Sequence, residues 1–224
     1  VARAVSRRKP VVALKSGRSA PGRRGAQSHT AALASDQATV DALFAHTGVL
    51  RAHTLEELMD VGLLLDRHPP PAGRRIALIG NVGGPLILGA DAADAGGLDV
   101  PVLSAPLQQE IAGLAPAAAA TANPVDLSAA ATAEELAAVV KSVAASGEVD
   151  ACLIVCVEID VHHRLDDIDS LLAAVEPGGV PLALTLIGTA DCRSAELPVF
   201  STPERAAAAM AIAQTLGVPL ADAA

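Results

Sequence analysis

The chain has 224 residues, 51% of them apolar and 18% charged, with 16 Lys and Arg against 25 Asp and Glu for a formal net charge of −9. That length and apolar share exclude a disordered chain and allow one large domain or two modest ones, although 49 alanines leave fewer large side chains for a core than the percentage suggests. With no Trp, no Tyr and only Phe44 and Phe200, the chain lacks the stacking platforms of a single-strand nucleic-acid binder, and no apolar run reaches the ~18–20 residues of a membrane span.

In chain order, residues 2–9 read as the end of a helix and Pro10–Lys15 as a buried strand, followed by a Gly/Ser/Arg loop from Ser16 to His29. Ser35 or Asp36 can cap a helix running to about His46, with Val40, Leu43 and Phe44 on one side and Gly48 as its stop. Gly48–Ala52 is a short strand. Thr54 then caps Leu55–Asp66, where Thr54-Leu55-Glu56-Glu57 has the spacing of a capping box. Residues 67–74, with three consecutive prolines at 69–71, read as an exposed linker, because proline neither continues a helix nor donates to a sheet ladder.

A new alternation of strands and helices begins after the linker. Strand Arg75–Ile79 leads through a Gly-rich turn to a helix from about Pro85 to Ala95. Leu98–Leu103 reads as a strand and Pro106–Leu114 as a helix, and an Ala-rich stretch over 115–122 precedes Asn123-Pro124-Val125-Asp126-Leu127. Thr132 caps a helix to Ser146, and Ala151–Val157 is a fully apolar strand. A helix around 164–175, strands Val180–Ile187 and Pro198–Ser201, and helix Pro203–Leu216 complete the series. Continuous Val/Ile/Leu runs between helices predict an α/β fold with a parallel sheet covered on both faces. The expected organisation is an incomplete first domain over 1–66, the C-terminal half of a flavodoxin-like unit carrying the His loop, then the 67–74 linker and a complete flavodoxin-like domain over 75–224. Two strands alone leave the first part with open edges, which predicts oligomerisation, association with another fragment, or tight docking on the second domain. Val1 in place of Met points to a segment of a longer polypeptide.

Charge is placed unevenly. Residues 1–35 hold eight basic residues, Arg3, Arg7, Arg8, Lys9, Lys15, Arg18, Arg23 and Arg24, and no acidic one. This is either an anion site at one end of the molecule or a solvated face. Cys152 and Cys156 lie ~13 Å apart along their strand, too far for a bridge; with Cys192 they fit a reducing cytoplasm.

Two segments can carry chemistry. Gly80-Asn81-Val82-Gly83-Gly84-Pro85 joins a strand to a helix; glycines admit an anion close to backbone N–H groups, and the helix N-terminus adds partial positive charge. The spacing is neither the dinucleotide fingerprint nor a P-loop, and a tight turn that needs glycine only for packing is the alternative. His29, at the end of a loop rich in glycine and arginine, can accept a phosphoryl group as a neutral imidazole, with nearby cations stabilising the transfer; a hydrogen-bonded structural histidine is the alternative. His162-His163 lacks metal-ligand spacing and reads as part of a polar loop. His46, His53 and His68 have surface-loop settings and carry no expected role.

Five motifs in order resemble the NDP-forming acyl-CoA synthetases, relatives of succinyl-CoA synthetase. They are Lys9-Pro10-Val11-Val12-Ala13-Leu14-Lys15-Ser16-Gly17-Arg18-Ser19, Ser28-His29-Thr30-Ala31-Ala32-Leu33-Ala34, Gly80–Pro85, Ala122–Leu127 and Val199-Phe200-Ser201-Thr202-Pro203-Glu204-Arg205-Ala206, which together span nearly the whole chain. The resemblance implies succinyl-CoA synthetase-like flavodoxin-like domains, with His29 as phosphoryl carrier between an acyl phosphate and a nucleoside diphosphate. It implies that Ser28, Asn81, Gly83 and Gly84 hold the phosphate, with no metal among the site residues. CoA, and nucleotide with Mg, would bind through the CoA-binding and ATP-grasp domains that this chain lacks; no cofactor binds this piece tightly. The implied location is cytoplasmic, with no nucleic-acid or membrane partner. The alanine-rich style resembles actinobacterial proteins that fuse such a region to an acetyltransferase. The chain departs from the pattern at Ala31-Ala32, where many relatives carry a glycine, and at Glu158–His163; the glutamate that orients the histidine in relatives would lie upstream of Val1. The competing function is a non-catalytic, acyl-CoA-sensing module of a protein acetyltransferase. A plain flavin binder is disfavoured by the missing aromatics.

Overall fold

The computed structural model describes residues 2–29, 37–157, 172, 180–188, 194 and 196–216, with backbone alone at 27–29. The first part contains α1 (Ala2–Ser6), β1 (Val12–Leu14), α2 (Ala20–His29), α3 (Gln37–Thr47), β2 (Leu50–Ala52) and α4 (Leu55–Arg67). Then follow β3 (Ile76–Gly80), α5 (Gly83–Ala95), α6 (Ala105–Leu114), β4 (Val125–Asp126), α7 (Ala133–Ala145), β5 (Ala151–Val157), β6 (Leu182–Ile187), β7 (Val199–Phe200) and α8 (Pro203–Gln214). The expected helix around 164–175, His162, His163 and Cys192 lie outside the described residues.

β1 and β2 pair in parallel as a two-stranded sheet. A second sheet has the order β4-β3-β5-β6-β7, with every neighbouring pair parallel. Numbered from its own first strand this order is 2-1-3-4-5, that of the flavodoxin-like fold. Alternation along the central strands divides the core. Ala77, Ile79, Cys152, Ile154, Leu182 and Leu184 face α6 and α7, whereas Ile76, Leu78, Ala151, Leu153, Val155 and Ala183 face α4, α5 and α8. The continuous apolar runs of β5 and β6 are therefore needed on both sides, which is why they show no polar alternation. Burial pushes the Cys152 and Cys156 thiols up to about 12, so both stay protonated at neutral pH and act as small core side chains.

The first part docks on this layer. Leu50, Val61 and Leu64 share a hydrophobic cluster with Ile76, Leu78, Phe200 and Met210. A fork reinforces the contact: Arg205 donates from Nε to Asp60 Oδ2 at 2.8 Å and from Nη2 to Asp60 Oδ1 at 2.7 Å. Thr202 caps α8, accepting from the Arg205 amide, so the Ser201–Arg205 motif serves to join α4 to α8. The proline segment is less open than expected: Pro69 is exposed, but Pro71 is buried.

Four further sequence expectations change. The supposed loop from Ser16 to His29 is helical from Ala20 onward, with Ser19 Oγ accepting from the Gly22 amide at 3.1 Å; Pro21 is compatible because it sits in the first turn. Leu43 does not join the buried side of α3 and is 55% exposed. Leu98–Leu103 is not a strand. Only Asp99 bridges to Arg75, because Pro101 lacks the N–H that a ladder needs. The Asn123 side chain replaces the missing strand, donating from Nδ2 to the Ile76 and Pro101 carbonyls and accepting from the Leu78 amide at 3.0 Å. At α4 the capping box is shifted by one residue. Thr54 accepts from the Glu57 amide, but Glu57 accepts from the His53 amide rather than from Thr54.

Two stability predictions arise here. Asp150 holds the start of β3, accepting from the Arg75 amide and Nε at 3.0 Å and from Arg75 Nη2 at 2.7 Å. The hydrogen bonds from Arg75 hold the Asp150 carboxyl below its ordinary value. A depressed folded-state pKa contributes stability above the unfolded value of about 3.9 and loses it as pH falls through the lower folded value. Asp150→Asn should therefore cost about 1–2 kcal/mol at pH 7, and the gap from wild type in urea titrations should close below about pH 4. A gap that persists in acid would assign the cost to packing instead. Thr185, wholly buried in β6, has a hydroxyl without a hydrogen-bond partner among the described residues. Thr185→Val should be neutral or stabilise by about 1 kcal/mol, because it removes an unpaired polar group; a lower unfolding midpoint would show that the hydroxyl has a partner in solution.

Candidate functional site

The connection after β3 runs to β4 on one side, and the chain then returns to β5 on the other side of β3. The crevice at the carboxyl ends of strands beside such a switch is where ligands bind in open α/β sheets. Gly80, Asp126 and Val157 end the three strands there, and Asn81–Gly84 form the turn.

The glycines of this turn have separate reasons. A Cβ on Gly80 would stand 2.1 Å from the Val155 carbonyl oxygen, so Gly80 is required by the approach of β3 to β5. A Cβ on Gly83 would stand 2.7 Å from Asp126 Oδ2. At Gly84 a Cβ would meet nothing within 4 Å, so packing against the described residues does not explain that glycine. Asn81 is 3% exposed. Its Nδ2 donates to the Val157 carbonyl at 3.0 Å and its Oδ1 accepts from the Val157 amide at 2.9 Å. The expected phosphate ligand thus spends its side chain continuing the β3–β5 ladder past Gly80, and it positions the turn.

Helix α5 starts from Val82, which offers no side-chain cap, and has no acidic residue in its first turn. By contrast Thr54, Ser104, Thr132 and Thr202 cap α4, α6, α7 and α8 through side-chain oxygens. The Gly83 and Gly84 N–H groups lie in the first turn of α5, where amides have no intrahelical acceptor, at its positive dipole end. Pro85 contributes no N–H.

Ser28 and His29 are the last two residues of α2, and the description stops at their backbone. The structure brings Asn81, Gly83 and Gly84 together with Asp126. The loop that leads into α2 is tied to the loop after β2: Arg18 donates to His53 Nδ1 at 3.0 Å and to the His53 carbonyl at 3.1 Å. Arg23 donates to the Arg18 carbonyl at 2.7 Å. His53, without a role in the sequence reading, thus fixes the basic loop. Asp126 and His53 both escape single-sequence reasoning because their partners are 43 and 35 residues away; the only local signals are the place of Asp126 in the Ala122–Leu127 motif and that of His53 just past a predicted strand.

A cavity of about 600 Å³ lies toward the other end of α5, lined by Arg51, His53, Glu57, Gly96 and Ala211. Among the described residues no helix is long and apolar enough to cross a membrane, and no group of three His, Cys, Asp or Glu could hold a metal ion.

Residues 1–65 match the succinyl-CoA ligase like flavodoxin domain. The alpha subunit of ADP-forming acetate–CoA ligase II from Pyrococcus furiosus is 34% identical over 220 residues, covering 93% of this chain and 48% of that subunit. The chain is NDP-forming acyl-CoA synthetase-like. ADP-forming acetate–CoA ligase I of Archaeoglobus fulgidus is 32% identical over 219 residues, 95% of this chain and 31% of that protein. Among solved structures, the dinucleotide forming acetyl-coenzyme A synthetase 1 of Ca. Korarchaeum cryptofilum, in complex with phosphate and ADP, is 26% identical. It superposes with a TM-score of 0.87 over 96% of this chain and 48% of its own. This synthetase-like chain therefore spans between 31% and 48% of the length of these relatives, which it matches along most of its own length.

Proposed function

We propose that the chain is the phosphoryl-carrying core of an acid–CoA ligase that converts acyl-CoA, a nucleoside diphosphate and phosphate into the acid, CoA and a nucleoside triphosphate. Residues 1–66 and 75–224 serve as its two flavodoxin-like units, joined through 67–74. In this reading an imidazole nitrogen of His29 attacks the phosphorus of an acyl phosphate, the bond from phosphorus to the acyl oxygen breaks, and the carboxylate leaves. The terminal oxygen of the diphosphate then attacks the same phosphorus, the nitrogen–phosphorus bond breaks, and the imidazole is restored. Gly83 and Gly84 N–H groups hold the phosphoryl oxygens, Ser28 flanks the carrier, and Asn81 fixes the turn. CoA and the nucleotide with its Mg bind through regions outside this chain.

The observation that carries this reading is Gly84: a glycine whose Cβ position meets none of the described residues within 4 Å, in the first turn of the helix whose cap residue offers no side-chain oxygen, at the sheet's switch point. Such a turn leaves N–H groups accessible to an oxyanion. The test is NTP formation by the full-length gene product, dependent on acyl-CoA, nucleoside diphosphate and phosphate together. A full-length product that binds acyl-CoA but forms no NTP from any short-chain acyl-CoA would favour the acyl-CoA-sensing module instead.

A further inference from the structure

The cavity between the two parts of the molecule is lined by charged groups that the fold leaves partly unused. Arg51 and His53 enter it from the end of β2 and Glu57 from the first turn of α4, while α5 and α8 close the other side. Only 17% of the Arg51 side chain is exposed; its Nη1 pairs with Asp41, and its enclosed Nε has no acceptor among the described residues. Arginine carries only donors, so the contact from Arg18 makes His53 Nδ1 the acceptor and leaves the ring proton on Nε2. The Glu57 carboxylate is anchored at Oε2 by the His53 amide at 2.6 Å, and its Oε1 has no partner among the described residues. Negative charge also comes from the helix ends. Helix α5 stops at Gly96 and α8 at Thr215, neither has a basic residue in its last turn, and both end residues line the cavity. The carbonyl ends of two helix dipoles therefore border it without a cation of their own. Between these poles the wall is apolar, built from Ala208, Ala211 and Ile212.

A simple anion is drawn to Arg51 and repelled by Glu57, and a simple cation meets the reverse. A small molecule that carries both a carboxylate and an ammonium satisfies the two sides at once and leaves no charge unpaired. We propose that this cavity binds an α-amino acid with an aliphatic side chain. Its carboxylate accepts from Arg51 and from His53 Nε2, its ammonium donates to Glu57 Oε1 and the carbonyl ends of α5 and α8, and its side chain lies on the alanine wall. The volume of about 600 Å³ falls within the range of ligand cavities and admits the largest aliphatic side chains together with water. Because the walls come from both parts of the molecule, such a ligand also ties the first part to the second. The site uses the end of α5 away from the Gly-rich turn and does not depend on phosphoryl transfer.

The test titrates the isotope-labelled 224-residue chain with L-leucine at pH 7, following the amide resonances of His53, Gly96 and Ala211. Parallel titrations use isocaproate, which lacks the ammonium, and isoamylamine, which lacks the carboxylate. In the wild type, leucine should give saturable shifts at all three amides. Each analogue should bind about tenfold more weakly or worse, as expected for a lost charge-assisted hydrogen bond. In Glu57→Gln, which keeps an oxygen for the His53 amide, leucine and isocaproate should bind within about threefold of one another. In Arg51→Met, which keeps the apolar stem, leucine and isoamylamine should converge in the same way. Absence of any saturable shift with leucine in the wild type, which needs no variant to fold, would overturn the site. Equal binding of leucine and either analogue by the wild type would overturn the assignment of an amino acid. An undiminished preference for leucine over isocaproate in Glu57→Gln would overturn the role of Glu57.

Discussion

His29→Ala is expected to lower NTP formation by the full-length gene product at least about a thousandfold, the loss typical of removing a covalent carrier. The expectation follows from the chemistry proposed for the turn. Backbone amides at a helix start can hold a phosphoryl group, but they cannot accept it covalently. Of the other described candidates, Cys152 and Cys156 are buried with thiols raised to about 12, and Thr185 is wholly buried in β6. Acyl-CoA binding should change little, since CoA is placed outside this chain in the proposed reaction. Substitution of His53 provides a contrast. His53→Ala removes the ring that Arg18 grips and loosens the loop before α2, so it should lower activity by a smaller factor, on the order of tenfold, as expected for a misplaced catalytic group. Comparable losses from His29→Ala and His53→Ala would place the effect in the loop's structure and not in a carrier.

The second large effect concerns Gly80. An alanine methyl there would stand 2.1 Å from the Val155 carbonyl oxygen, a backbone atom with no side-chain freedom to move aside. Neither strand can yield without giving up the β3–β5 ladder and the Asn81–Val157 bonds that continue it. Gly80→Ala should cost about 3 kcal/mol, read as a lower urea midpoint, and should move the α5 turn. Gly84→Ala is the control. Its methyl meets none of the described residues within 4 Å, so stability should stay within about 1 kcal/mol of wild type, while anion binding at the turn should weaken. If the two substitutions destabilised the chain equally, packing would account for both glycines.

The sheet was legible in the sequence because its central strands are buried on both faces: Ala151–Val157 could be bounded to the residue, since nothing polar interrupts it. Leu98–Leu103 is apolar but for Asp99 and lacks the N–H at Pro101 that a ladder needs, and Asn123 makes good the loss from 22 residues further on. Ala20–His29 was hidden for the opposite reason. Its two glycines, proline and arginines resemble a loop, and its helical state depends on Ser19 at the start and Pro21 in the first turn. In the candidate site the Gly-rich turn was visible as a pattern, but not the division of labour within it. Only the approach of Val155 to Gly80 and of Asp126 to Gly83 separates glycines required by packing from Gly84, which is not.

The central claim, that His29 carries the phosphoryl group, is tested most directly by labelling. The full-length gene product is incubated with terminally labelled ATP and magnesium, and the modified peptide is mapped. Cleavage after Arg24 and Arg51 releases residues 25–51, which contain His29 and His46, and cleavage before Asp36 separates the two. The account predicts a label that is lost in mild acid, survives base and lies in the fragment before Asp36. An acid-labile label found elsewhere in the protein, with none in that fragment, would contradict it.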